Sequence, residues 1–488
     1  MRRCILGGLV AGIAGGASIA QAQTVPVSLN QTILDAAPGS ITWNGFTVFG
    51  TVDVGFAYQN HGAPLNGLYI SGLDFFAAST KNLVKTISTV APNGLEQSKI
   101  GAKGDVPLAP DWSVVFRIET GFNPISGQLA NGPGSIAENS GVPQLQQTGF
   151  GDSSRAGQLV NGVIFAGLSN LVLGTVTYGR QQSLLLDSIA KYDPQELSYA
   201  FSLIGFAGAT GGGGVTENAR LDDTLKYVYK LGPAHVSGMY VGGGNGTGLL
   251  GDGYGFNVGG DYQGFSLDFT YEKMNGGVLV APLAFGTGAG QCEAGSAVKP
   301  CTSNGVGGTI SDNETWSVQG KYSFELSWAK TTLYAGYEHI SYADPHHQAG
   351  VGTDAQGGYQ LLAVTNNKFF TDKEFQVTWA GTKFALPSGV TVTGAYYRYD
   401  QNSYLTGAAV SCATATANNV KNKSFIGNTT GDNCSGTLNG ASFVVDYQMT
   451  KRLDLYAGVT YSIAGGGLES GYVNNSLTSF MTGARLRF

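Results

Sequence analysis

Charge is scarce in this 488-residue chain: Asp, Glu, Lys and Arg make up 12% of it, where about 25% is usual for a soluble domain. That argues against an ordinary soluble enzyme. Long apolar runs are missing as well. Past the first 22 residues no run reaches the ~18 apolar residues that a spanning helix needs, so membrane helices are excluded. The best candidate, 278–285, is short and holds Pro282. Histidine is limited to five residues, and only His235 and His339 fall in predicted strands. With no Gly-x-Ser-x-Gly and so few bases, catalysis is not expected. His346 and His347 beside Asp344 read as an exposed loop, so neither a metal nor a cofactor is expected. Gly246-Thr-Gly248-Leu-Leu-Gly251 has the spacing of a dinucleotide fingerprint but opens a strand, not a helix, and is discounted.

What is present is alternation. Apolar content is 42% and mean hydropathy is zero, so the apolar residues are interleaved with polar ones. Glycine, at 75 residues, has about twice its usual share. Residues 1–22 carry Arg2 and Arg3, an apolar stretch from Ile5 to Ala14 and Ala20-Gln21-Ala22, which together form a secretion signal with its cleavage site. Cys4 leaves with it. The four remaining cysteines, Cys292, Cys301, Cys412 and Cys434, form an even set in an exported chain and read as two local disulfides. Three pairings are open to them; proximity favours Cys292–Cys301 with Cys412–Cys434. Metal binding is disfavoured, with no histidine at useful spacing.

Residues 23–45 form a lead-in without a strong period. From Phe46 the period is two, as side chains on a strand alternate between faces. Phe46, Val48, Val52, Val54, Phe56 and Tyr58 oppose Thr47, Thr51 and Asp53. Trp112, Val114, Phe116, Ile118 and Phe122 oppose Arg117 and Glu119. Phe265, Leu267, Phe269 and Tyr271 oppose Asp268 and Glu272. At the end Phe480, Thr482, Ala484, Leu486 and Phe488 oppose Arg485 and Arg487. The parity of 172–180 is less clean, and Arg180 is assigned to neither face. Sixteen such segments occur, with long connections after odd strands and short ones after even strands. Residues 46–488 are therefore predicted to be all-β: a transmembrane antiparallel β-barrel of 16 strands with long extracellular loops and short periplasmic turns. Closure removes the strand edges that lipid cannot hydrogen-bond.

Ser98–Gly104 (Ser-Lys-Ile-Gly-Ala-Lys-Gly), Arg117–Asn123 (Arg-Ile-Glu-Thr-Gly-Phe-Asn), Gly174–Gln181, the hairpin Tyr447–Tyr461 and the terminal Thr482–Phe488 follow in an order and spacing that resembles the general porins of Gram-negative bacteria. The resemblance covers nearly the whole mature chain. It implies an outer-membrane channel for passive diffusion of small hydrophilic solutes and ions, assembled as a homotrimer in outer-membrane lipid. Nucleic acid is not among the partners expected. It also implies that the third long loop, 181–221, folds inward to narrow the pore, and that Phe488 is an assembly signal read by the barrel-assembly machinery. The long lead-in departs from the family pattern.

A porin works through charges at its constriction. Asp187, Asp193 and Glu196 of the third loop are expected to oppose Arg117, Lys99 and Lys103, with Glu119 beside Arg117. An Arg117–Glu119 ion pair is the structural alternative. Eight inward cations, Lys230 and Lys321 among them, against ten inward carboxylates, Glu374 among them, do not decide ion preference. Arg485 and Arg487, near the end of a descending strand, are expected low in the lumen and away from the constriction. A substrate-selective channel for sugars, organic acids or phosphate is the alternative function, and a plugged structural barrel a third.

Overall fold

A computed structural model describes residues 41–60, 86–131, 158–204, 220–242, 251–282, 306–348, 361–366, 371–404, 435–466 and 476–488. The signal, the lead-in up to residue 40, the four cysteines and part of the third loop lie outside the described residues.

The strands are β1 (Ile41–Trp43), β2 (Phe46–Gln59), β3 (Ile87–Pro92), β4 (Lys99–Ala109), β5 (Trp112–Gly121), β6 (Ile164–Asn170), β7 (Gly174–Gln182), β8 (Arg220–Leu231), β9 (Ala234–Gly242) and β10 (Asp252–Tyr262). They continue as β11 (Phe265–Pro282), β12 (Val306–Glu325), β13 (Lys330–Ala343), β14 (Leu361–Asn366), β15 (Lys373–Ala385), β16 (Val390–Gln401), β17 (Gly436–Gln448), β18 (Leu453–Gly466) and β19 (Ser476–Arg487). Sixteen of them pair antiparallel with both neighbours in a ring, β2 with β4, on through β13 with β15, to β19. The ring closes where β19 meets β2, from Ser479 opposite Gln59 to Arg487 opposite Thr51. Phe488 finishes the seam by exchanging hydrogen bonds with Gly50 in both directions (2.8 and 3.0 Å). With every edge paired, the wall meets the requirement that lipid imposes.

Three short strands are additions to the ring. β1 folds back on the start of β2 through Asn44 and Gly45, both at positive φ (49° and 81°), as a two-residue hairpin turn requires. β3 lies on the end of β2, and β14 runs parallel to the first residues of β12.

The two faces of the wall separate as the alternation requires. Ile100, Ile118, Tyr227, Phe256, Phe265, Tyr322 and Phe480 are exposed on the outside, where lipid would cover them, while Asp53, Glu119, Thr270, Thr315 and Asp454 are buried inside. At Gly179 (φ 137°) the pairing of β7 with β8 slips by a bulge. The extra residue lies on β8, where Asp223 is at positive φ (53°). Arg180, opposite Ile164, keeps the parity of Tyr178 but is buried, donating to the Gly162 carbonyl (3.1 Å) and meeting Asp222 at 2.8 Å.

The barrel is not empty. Helix α1 (Leu184–Tyr192) lies within it. Ser183 caps it, its hydroxyl accepting the Leu186 N–H (3.0 Å); Asp187 in the first turn and Lys191 in the last suit the helix dipole. Leu185 and Ile189, one turn apart, face the wall with Leu203 and Ile204 and bury Phe375, Val377, Trp379, Tyr397 and Tyr399. On β15 and β16 the inward face is therefore apolar. This corrects one expectation: Glu374 shares the face of the exposed Gln376 and Thr378 and points away from the lumen, whereas Lys383 shares the inward face of Trp379.

Candidate pore constriction

The segment after α1 is fastened along the inner wall. Trp379 Nε1 donates to the Tyr192 carbonyl (3.1 Å), Gln195 Nε2 to Ser442 Oγ (2.9 Å) and Thr460 Oγ1 to the Ala200 carbonyl (2.9 Å). Three wall glycines form its bed. A side chain at Gly381 would collide with the Pro194 ring, at Gly440 with Leu203 and at Gly458 with Phe201. The absence of side chains on β15, β17 and β18 is what lets the loop lie this close.

Between this loop and the facing staves lies a cavity of about 690 Å³. Its charged lining comes from both sides. The loop contributes Asp187 and Glu196; the wall contributes Lys99, Arg117, Glu119, Lys226, Lys383, Asp446, Arg485 and Arg487, joined by Glu96 and Arg220. Arg117 meets Glu119 at 2.6 Å, and its guanidinium lies 4.7 Å from the centre of the Phe49 ring. Lys99 meets Glu96 at 2.6 Å. Asp187 meets Lys226 at 2.6 Å, and Glu196 pairs with Lys383. The most water-accessible charges on the loop are the carboxylates of Glu196 and Asp187 (64% and 46% exposed), and among these pairs the most accessible wall cation is Arg117 (34%). Confinement within the barrel acts to raise the pKa of Glu196. Lys383 outweighs it, with Arg485 and Arg487 adding, so the carboxyl is held below its ordinary value.

Two expectations are corrected. Asp193 does not face the cavity. It is fully buried, and burial pushes its carboxyl up from the ordinary value despite its hydrogen bonds. Lys103 lies across β4 and β5 from Arg117, 5.9 Å from the Phe49 ring centre, and is not part of the lining. A third concerns Arg485 and Arg487, which line the same cavity as Arg117. Arg485 reaches Asp454 at 2.8 Å, Asp446 at 3.5 Å and Glu96 at 3.8 Å; Arg487 reaches Asp454 at 2.8 Å. The reason is stagger. Arg485 is opposite Asp53, in the middle of the fourteen-residue β2, so the end of one stave stands at mid-height of its neighbour, as the shear of a closed barrel requires. Lys383, Glu96 and Arg220 are the charged lining residues that sequence reasoning missed. The parity of Lys383 was available, but the apolar inward face of β15 concealed it.

The turn that carries Glu196 is unusual. Glu196 and Leu197 both have left-handed backbone, φ 55° and 59°. Non-glycine residues held in this region cost of order 1–3 kcal/mol each and persist where the surroundings over-determine them.

A family model described as Gram-negative porin matches residues 8–465. Comparison with curated protein sequences finds no match. Among solved structures the chain is similar to the anion-selective porin from Comamonas acidovorans, at 15% identity and a TM-score of 0.55, with 91% of this chain and 99% of that one covered. It is also similar to OmpT, an outer membrane protein of Vibrio cholerae, at 11% identity and a TM-score of 0.53, with 92% and 99% covered. At such identities these likenesses speak for the fold. The family match extends over nearly the whole chain, and with a closed barrel and a charged lumen beside it, the chain belongs to the Gram-negative porins, channels of the outer membrane for passive diffusion.

Proposed function

We propose that the segment from α1 to Ile204 narrows the passage to an eyelet, and that small hydrophilic solutes and ions cross it in the field between loop carboxylates and wall cations. The single observation behind this reading is the cavity itself, into which Asp187 and Glu196 project from the loop while Arg117, Lys99, Arg485 and Arg487 project from the staves. Charges of opposite sign across a water-filled gap set a transverse field, and the gap sets the size cut-off. Because both signs are present, the reading is of a general pore rather than one dedicated to a single solute, and of transport without catalysis. Liposome swelling with graded sugars and organic acids tests it. A smooth fall of rate with size is expected, and one outlying solute would favour the selective channel. In the same channel Arg117→Ala is expected to change single-channel conductance and reversal potential. Unchanged values would remove Arg117 from the eyelet.

The exported chain is proposed to lose residues 1–22 and to assemble as a homotrimer. OmpT of Vibrio cholerae, a similar fold at 12% identity and a TM-score of 0.50, is described in a trimer form. The wall of this chain carries a second argument. β6 has seven residues; at about 3.3 Å per residue and a tilt near 45° it covers about 16 Å of membrane thickness, short of an apolar band of about 25 Å. The low sector β5–β7 needs protein, not lipid, beside it. The exposed apolar turn Leu171, Val172 and Leu173 lies at its foot. A native mass of one chain after mild extraction would overturn this.

A further inference from the structure

We propose that Asp193 is the positioning residue of the passage: it fixes the backbone on which Glu196 is carried and so sets where that carboxylate stands in the lumen. Asp193 itself is buried out of reach of any solute. Its Oδ1 accepts the Tyr397 hydroxyl (2.6 Å) and the Gln195 N–H (3.2 Å), and its Oδ2 accepts the Leu197 N–H (2.7 Å). Its carbonyl accepts the Glu196 N–H (3.0 Å). One residue thus holds the amides of Gln195, Glu196 and Leu197 at once. Glu196 and Leu197 are the two consecutive residues in left-handed backbone. That conformation persists only where the surroundings over-determine it, and the Asp193 acceptors supply that constraint. Tyr397 ties the arrangement to β16, and the Gly381 gap receives the Pro194 ring between them.

The chemistry of these contacts separates Asp193 from Glu119 and Asp454 and likens it to Asp53, which accepts the Tyr456 hydroxyl (2.6 Å) and the Leu95 and Glu96 N–H groups (2.7 and 2.8 Å). Glu119 and Asp454 meet arginines, so their role is charge balance. The hydrogen bonds to Asp193 come from backbone N–H groups and from the Tyr397 and Ser202 side chains, not from a cation, so its role is geometric. With Asp193 in place, Glu196 projects from a fixed turn toward Lys383 and into the cavity. Without it the turn is free to leave the left-handed region, and the carboxylate is spread over positions that the ion path does not share.

Provided Glu196 stands at the eyelet as read above, a double-mutant cycle in planar bilayers tests the link, with reversal potential in a KCl gradient as the readout. Glu196→Gln alone is expected to shift the reversal potential toward anions. Asp193→Asn keeps the size of the side chain but replaces one acceptor oxygen with a donor. In that background the shift caused by Glu196→Gln is expected to fall below half its native size, since the charge is no longer held in place. Tyr397→Phe alters no formal charge, loosens the same turn and is expected to reduce the shift in the same direction. It serves if Asp193→Asn does not insert. A merely structural role would lower the yield of inserted channel and leave the cycle additive. A shift of full size in either altered background overturns the role of Asp193 and leaves the eyelet standing. No shift from Glu196→Gln in the native channel overturns the eyelet reading and the proposal with it.

Discussion

Leu185→Ala would test whether the helix inside the barrel is a separately opening unit. Leu185 is fully buried, part of an apolar cluster that also holds Ile189, Leu203, Ile340 and Phe375, on a helix that packs chiefly on β11 and β12. Truncating a buried leucine to alanine costs about 2–5 kcal/mol, from lost transfer energy and the cavity left behind. The backbone amide of Leu185, which donates to Glu272 Oε1 (2.9 Å), is retained, so the loss is confined to packing. If the cost falls on the docking of α1 alone, the equilibrium for undocking rises by about 30- to 4,000-fold, at a factor of ten for each 1.4 kcal/mol. Hydrogen exchange reads that factor directly, because the amides of 184–192 exchange from the undocked state. In detergent or nanodiscs those amides are expected to accelerate by that factor while the strand amides keep their protection. Single channels of the variant are expected to show larger and noisier currents. Unchanged exchange in 184–192 would refute the reasoning. So would equal acceleration in the strands, since the cost would then fall on the whole barrel.

Deleting Phe488 removes both hydrogen bonds to Gly50 and the ring that lies over that glycine; the amount of heat-modifiable, inserted protein is expected to fall, and normal insertion would defeat the role given to the seam. The Glu196–Lys383 pair has a defined acid limit. Because the Glu196 carboxyl is held below its ordinary value of 4.5, its charge is present above that value and is lost only as pH falls through the lowered one. The reversal-potential difference between the native channel and Glu196→Gln is therefore expected to persist at pH 4.5 and to vanish in stronger acid; a difference already gone at pH 5.5 would contradict the pairing.

The wall was legible in the sequence because a strand with lipid on one side and water on the other must alternate, and sixteen such segments alternate here. Legibility ended where that premise did. On β15 and β16 the inner neighbour is the inward-folded segment that runs on from the helix, not water, so Phe375, Trp379 and Tyr397 face inward, and the parity that had placed Arg117 and Glu119 placed Glu374 on the wrong face. Arg180 keeps the parity of Tyr178 yet is buried through Gly162 and Asp222, contacts that local alternation does not record. The depth of Arg485 depended on the stagger between β19 and β2, a property of closure that no single strand records. Asp193 was found as a carboxylate in the right loop. Its burial depends on Tyr397, 204 residues away, and no local pattern announces that contact.

The segment that follows α1 comes from the first half of the chain, but its bed does not. Tyr397 follows Asp193 by 204 residues, Ser442 follows Gln195 by 247, and Thr460 follows Ala200 by 260. Contacts of such separation form late, because the intervening chain must be organised first. While the barrel assembles, Leu203 and Ile204 have no surface to meet until β13 and β15–β17 stand in the wall. The glycine bed has to exist before anything can lie in it. A wide tube is thus the precursor of the narrow one, and selectivity is the last property the molecule acquires.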